Sequence, residues 1–354
     1  MKKHLGIISL CLGLLVASCG DGRNTSEEKK IGSDPIPEVK TQLGLGMVHE
    51  NIAFKSDPSL SYAIYLPVGM QSKETYPVLY CIDPHGQGKY PLYMYRELAD
   101  SFNIILVGSN TSKNGMPFVE SEKGLNQLIA EVQSLFPVEN AVRLLGFSGG
   151  AKVAIEYANR HPEVRQVLYA GGVTQLSRQN NISLLGFAGI RDMNYADLVG
   201  FEVSLGNAPF QHQLIEWDGA HEFPSANVMR DGFYFILNDS VENYLEKRPR
   251  TKQENIMREQ LLKRKFFQAF NTKELKWWQT EITALHEYAK TDVMYERILG
   301  FIGLGCYSLT SNAIDSGDLQ KAEYAIAIYL AATPENEDAK KFAAQIQEMK
   351  KKRQ

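Results

Sequence analysis

Residues 146–150 read Gly-Phe-Ser-Gly-Gly, a GxSxG pentapeptide that puts one hydroxyl, Ser148, among three glycines. In a nucleophile elbow this spacing makes a sharp strand-to-helix turn that lifts the serine oxygen above a sheet. Glycines are needed there because side chains at the flanking positions would strike the neighbouring strand and helix. A serine hydroxyl is a weak nucleophile near neutral pH, so it needs a base within hydrogen-bond reach and an acid to orient that base. Both types follow downstream. Asp192 lies in "SLLGFAGIRDMNY" and His221 in "HQLIEWDGAHEFP", which sets the order Ser, Asp, His. Asp197 and Asp218 stand as alternatives for the acid. Of seven histidines, His221 alone lies in the loop after the last strand-like run, and His286 falls in the helical part.

The pentapeptide recurs by chance, so the elements around it carry the reading. "AVRLLGF" is an apolar strand directly before Ser148, and Ala151, Ala154, Ile155 and Ala158 form a helical stripe directly after it, ending near His161-Pro162. Upstream, "MVHENIAFK" and "LSYAIYLPV" flank the turn "SDPS" and predict a strand pair at a sheet edge. "YPVLYCID" and "NIILVGSN" are short apolar runs of the kind buried in parallel sheets. Leu125, Leu128, Ile129, Val132 and Leu135 share one face of a crossover helix. "QVLYAGG", "SLLGFAGI" and "HQLIEW" complete the strands. Alternation of this kind predicts a doubly wound α/β sheet with its ligand site at the carboxyl ends of the strands.

With the elbow, the Ser-Asp-His order and these elements in place, residues 76–247 resemble the α/β-hydrolase superfamily, nearer its compact esterase branches than its lipases. The resemblance implies a mostly parallel sheet and hydrolysis of a carboxylic ester through an acyl-enzyme, with Ser148, His221 and Asp192 catalytic. It also implies an oxyanion hole of backbone N–H groups. One is that of Gly149; the other comes from "DPHGQG", at Gly86 or Gln87, where this chain has HGQG in place of the glycine run of many lipases. Only "VTQLSRQNNIS" separates "YAGG" from the next strand, too little for a lid, so the site is expected to be open. A water-soluble ester, or one pendant on a polymer such as a carbohydrate, fits that better than an emulsified triglyceride. A serine peptidase ranks third, since the prolyl-peptidase plan needs a large preceding domain.

The chain begins "MKKHLGIISLCLGLLVASCG": two lysines, an apolar stretch too short to span a bilayer, and small residues before Cys19. Leu15-Val16-Ala17-Ser18-Cys19 resembles the lipobox of bacterial lipoproteins, which implies cleavage before Cys19, its acylation, and residence in the bacterial cell envelope. Residues 20–43 are polar and read as a tether. After residue 250 no strand-like run occurs, and "SGDLQKAEYAIAIYLAATPENEDA", with Gly317-Asp318, Ala322, Ile326 and Pro334, resembles one tetratricopeptide repeat. The expected organisation is a signal with lipobox over 1–19, a tether over 20–43, an α/β-hydrolase domain over 44–250 and a smaller all-helical domain over 251–354.

Trp277, Trp278, Phe266, Phe267 and Phe270 in that helical part are expected mainly as core, with a pocket lining as the alternative. Cys81 and Cys306 are expected as buried thiols. At 354 residues, 44% hydrophobic and a formal net charge of -3, there is no basic excess to suggest nucleic acid. No metal-ligand spacing, dinucleotide fingerprint or phosphate loop appears, so no cofactor is expected. The partners expected are an ester substrate, a membrane through the lipid, and a protein docked on the helices. A tethered scaffold with an inactive hydrolase domain is the second reading.

Overall fold

Among the described residues, short apolar runs become one sheet of eight strands: β1 (Val48–Ala53), β2 (Ser61–Tyr65), β3 (Val78–Ile82), β4 (Ile105–Ser109), β5 (Val142–Phe147), β6 (Val164–Ala170), β7 (Ser183–Gly189) and β8 (His212–Trp217). The computed structural model describes residues 43–71, 75–177, 181–238, 253–270 and 272–351. The signal, Cys19, nearly all of the tether and the boundary expected near residue 250 lie outside the described residues.

The strand order is β1-β2-β4-β3-β5-β6-β7-β8. β2 pairs antiparallel with β1 and β4, and every other pairing is parallel. The hairpin therefore forms an edge, as its alternation predicts. Helices α1 (Lys89–Phe102), α2 (Phe118–Leu135), α3 (Gly149–Arg160), α4 (Tyr195–Leu205) and α5 (Ala226–Asn238) cover the two faces. The fold is a doubly wound, mostly parallel sheet followed by a helical region. Helices α1, α4 and α5 go beyond the elements marked from hydrophobic spacing, and α2 begins at Phe118, directly after Pro117 and well before the first residue of its apolar stripe, Leu125.

Successive strand residues point to opposite faces, which divides the core in two. Ile82, Val107, Leu144 and Val167 face α2, α3 and α4, while Cys81, Leu106, Leu145 and Leu168 face α1 and α5. Both faces are covered, so these strands are apolar throughout and not alternating.

The helical region comprises α6 (Gln253–Ala269), α7 (Leu275–Ala289), α8 (Val293–Asp315), α9 (Leu319–Ala332) and α10 (Glu337–Lys351). The side chains of Asp292 and Asp318 accept from the N–H groups of Met294 and Lys321, capping α8 and α9. Trp278, Phe266 and Phe270 are buried in this region's own core with Ile302, Ile326 and Ile328. Phe267 is 68% exposed and does not join that core, because it falls on the outer face of α6. Cys81 and Cys306 are free and buried, and burial pushes the Cys306 thiol up to about 12.

Candidate active site

Three strand ends bring the sequence-predicted side chains together. Ser148 follows β5, Asp192 lies three residues past β7, and His221 lies four past β8, all at the carboxyl edge of the parallel strands. Ser148 has φ 52° and ψ -118°, a left-handed conformation that costs a non-glycine residue of order 1–3 kcal/mol. The turn is held by the Ser148 N–H, which donates to Ala170 O at 2.8 Å. A Cβ on Gly150 would collide with the backbone oxygen of Ile82 on β3, so only glycine lets α3 start this close to the sheet.

The Ser148 hydroxyl lies 3.0 Å from His221 Nε2, and His221 Nδ1 lies 2.9 Å from Asp192 Oδ1. A carboxylate only accepts, so the ring proton belongs on Nδ1, and Nε2 is left to accept from Ser148. Asp192 is 1% exposed, and its Oδ1 also accepts from the Asn194 N–H at 2.7 Å. The alternative acids sit elsewhere: Asp197 pairs with Lys263 at 3.3 Å, and Asp218, 77% exposed, pairs with Arg191. Phe147 packs on the imidazole with ring centroids 4.9 Å apart, and Phe223 lies beside Phe147 at 4.7 Å.

Gly149, which directly follows Ser148 and is the first residue of α3, has an N–H with no intrahelical acceptor. The turn after β3 is arranged differently from a free donor pair. Gly86 N–H donates to Asp83 O at 3.2 Å, while His85 and Gln87 N–H donate to the buried Asp83 carboxylate at 2.8 and 3.1 Å. At rest, then, Gly86 and Gln87 both have acceptors within their own turn. The carboxamide of Asn114 lies in the space that a Cβ on Gly149 would occupy, and the Asn114 N–H donates to Pro84 O at 2.7 Å. Asn114 thus connects the two loops.

Other contributors were not singled out from the sequence. His221 reaches Ser148 across the end of β6, where Gly171 has φ 63°; a Cβ there would come 3.1 Å from the ring carbon Cε1 of His221 and 2.6 Å from the Phe147 ring. Asn194 Nδ2 donates to Gly171 O at 2.7 Å, tying the Asp192 turn to that glycine. The signal for Gly171 is the glycine pair that closes "QVLYAGG" at the end of a buried strand.

No known family profile matches the chain, and no curated protein matches it. Among solved structures it is similar to a fluorophosphonate-binding serine hydrolase of Staphylococcus aureus (13% identity, TM-score 0.44, 55% of this chain and 100% of that one). It is also similar to an esterase of Rhizomucor miehei (16%, 0.45, 57% and 87%) and one of Pyrobaculum calidifontis (12%, 0.45, 56% and 87%).

Proposed function

We propose that this protein is a serine hydrolase that cleaves carboxylic esters through an acyl-enzyme. The single observation that carries this reading is the continuous hydrogen-bond chain from Ser148 through His221 to Asp192, set on a strained serine at the carboxyl edge of the sheet. Backbone strain persists only where surrounding structure enforces it, and it concentrates at functional sites.

In this mechanism Ser148 Oγ attacks the carbonyl carbon while its proton passes to His221 Nε2. Asp192 keeps the Nδ1 proton in place and offsets the charge of the imidazolium. The oxyanion accepts from the Gly149 N–H. Gln87 N–H serves as second donor by sharing itself between Asp83 and the oxyanion, a weaker arrangement than a free donor. Collapse expels the alcohol, which takes the proton from Nε2. Water then repeats the sequence on the acyl-enzyme, releasing the acid and restoring Ser148.

The substrate class is a water-soluble ester or one pendant on a carbohydrate, supported by the short connection between β6 and β7. The protein is lipid-anchored at Cys19 in a bacterial envelope, a reading supported by the lipobox-like sequence, and Cys19→Ala is expected to move it from the membrane to the soluble fraction. The segment 251–354 is a helical module available to a protein partner.

The test compares wild type with Ser148→Ala on 4-nitrophenyl acetate and butyrate. Turnover by wild type, lost in Ser148→Ala, is expected. Equal rates at the buffer background would remove the hydrolase reading and leave the tethered scaffold.

A further inference from the structure

The helical region meets the sheet at the turn that carries Asp192. On the sheet side this turn is tied by three backbone bonds: Ile190 N–H to Trp217 O at 2.9 Å, Arg191 N–H to Gly219 O at 2.9 Å and Asp192 N–H to Gly189 O at 3.0 Å. The opposite side is held by α8. Arg297 Nη1 donates to Ile190 O at 2.7 Å, and its guanidinium lies 4.4 Å from the centroid of the Tyr195 ring. Gly300, one turn on, lies against Met193: a Cβ at this glycine would come 3.5 Å from the Met193 Cβ.

Arg297 is itself fixed. Its Nε donates to both Glu259 oxygens at 3.1 and 3.0 Å and its Nη2 to Oε2 at 2.6 Å, with Arg297 4% and Glu259 0% exposed. The guanidinium fork uses two nitrogens on the carboxylate of α6 and aims the third at the backbone of the Asp192 turn. The surrounding charges are Lys263, 3.9 Å from Glu259, and Asp197, paired with Lys263.

We propose that Arg297 is a positioning residue for hydrolysis: anchored by Glu259, it clamps the Ile190–Tyr195 turn so that Asp192 stays aligned on His221. The helical region is then part of the working site and not only a docking module. This rests on the role given above to Ser148, His221 and Asp192. Geometry makes the effect large, because a misplacement of about 1 Å in such a constellation can cost about 10²-fold in rate.

The Arg297–Glu259 ion pair is buried in the seam between the two regions, and removing one partner strands the other charge. The decisive variant therefore removes both, Arg297→Met with Glu259→Leu, which strands neither member of the pair, leaves Lys263 its partner Asp197, and deletes the donor to Ile190 O. Arg297→Lys keeps a charge against Glu259 but lacks the planar fork, and serves as the second variant. Trp278→Phe, inside the helical core and away from the site, is the control for general loosening. Each is assayed for kcat and KM on 4-nitrophenyl butyrate, and for the low-field proton resonance of His221 Nδ1–H by NMR.

The expected result is kcat lowered about 10²-fold in the double variant with KM within about twofold, an intermediate loss in Arg297→Lys, little change in Trp278→Phe, and a broadened or lost Nδ1–H signal in the first two. Wild-type kcat and an unshifted signal in the double variant, or in Arg297→Lys should the double variant fail to fold, would overturn the proposal. A wild-type protein without turnover above Ser148→Ala would instead remove the hydrolase reading. The Nδ1–H signal would then decide on its own whether Arg297 holds the Asp192 turn.

Discussion

A carboxylate and an amide are nearly the same shape, which isolates what Asp192 does. As a carboxylate it only accepts from His221 Nδ1, at 2.9 Å, and so keeps Nε2 free to accept from Ser148. The amide nitrogen introduced by Asp192→Asn can donate to Nδ1 instead, which moves the ring proton to Nε2 and leaves no base for the serine. That substitution is therefore expected to lower kcat by about 10⁴-fold while the protein keeps its circular dichroism spectrum, measured with the same 4-nitrophenyl esters. Asp218→Asn should leave the rate close to wild type, because that side chain is exposed and engaged by Arg191. The same economy of acceptors applies after β3: the Asp83 carboxylate orders the turn by taking the His85 and Gln87 N–H groups. A free oxyanion donor there would need an equivalent acceptor to be given up.

At the scale of elements, the site depends on how closely strands and helices approach one another. α3 starts against β3 only because Gly150 lacks a side chain, and His221 crosses the end of β6 only because Gly171 lacks one. Gly171→Ala introduces a Cβ at a left-handed backbone position, at a cost of roughly 1–2 kcal/mol, and pushes it towards the imidazole and the Phe147 ring. The expected outcome is a kcat reduced by about 10²-fold, out of proportion to the modest stability loss, with both read on one preparation by steady-state kinetics and thermal unfolding. If activity fell only as far as the folded fraction did, the crossing over β6 would not be what aligns the histidine.

At the scale of the molecule, two cores on the sheet faces and a third among the helices are joined at the Arg297 seam. Trp278 is fully buried at the centre of the third core, stacked near Phe270 at 5.1 Å, with Nε1 donating to the Tyr324 hydroxyl at 2.9 Å. Trp278→Ala should cost about 3–5 kcal/mol, measured by urea unfolding followed by circular dichroism. Where that loss unfolds the helices, the Arg297 seam goes with them and hydrolysis should fall, whereas a loosening that leaves the helices folded should not lower the rate. Unfolding of the helices with no change in rate would mean that the sheet holds the Asp192 turn unaided.

The strands, the helix after Ser148, and the order of serine, aspartate and histidine were legible in the sequence because each is written in neighbouring residues: alternation, helical spacing, or a glycine beside a serine. Those signals are local, and local sterics and burial enforce them wherever the segment lies. What the sequence left open was which of Asp192, Asp197 and Asp218 meets His221, whether Gly86 and Gln87 have free donors, and which aromatics of α6 and α7 turn inward. Arg297 gave no signal at all, being one arginine on a long helix remote in the chain from Asp192. Tertiary structure decided these points because each depends on distances between segments far apart in sequence, and such distances exist only after packing has closed the loops between them.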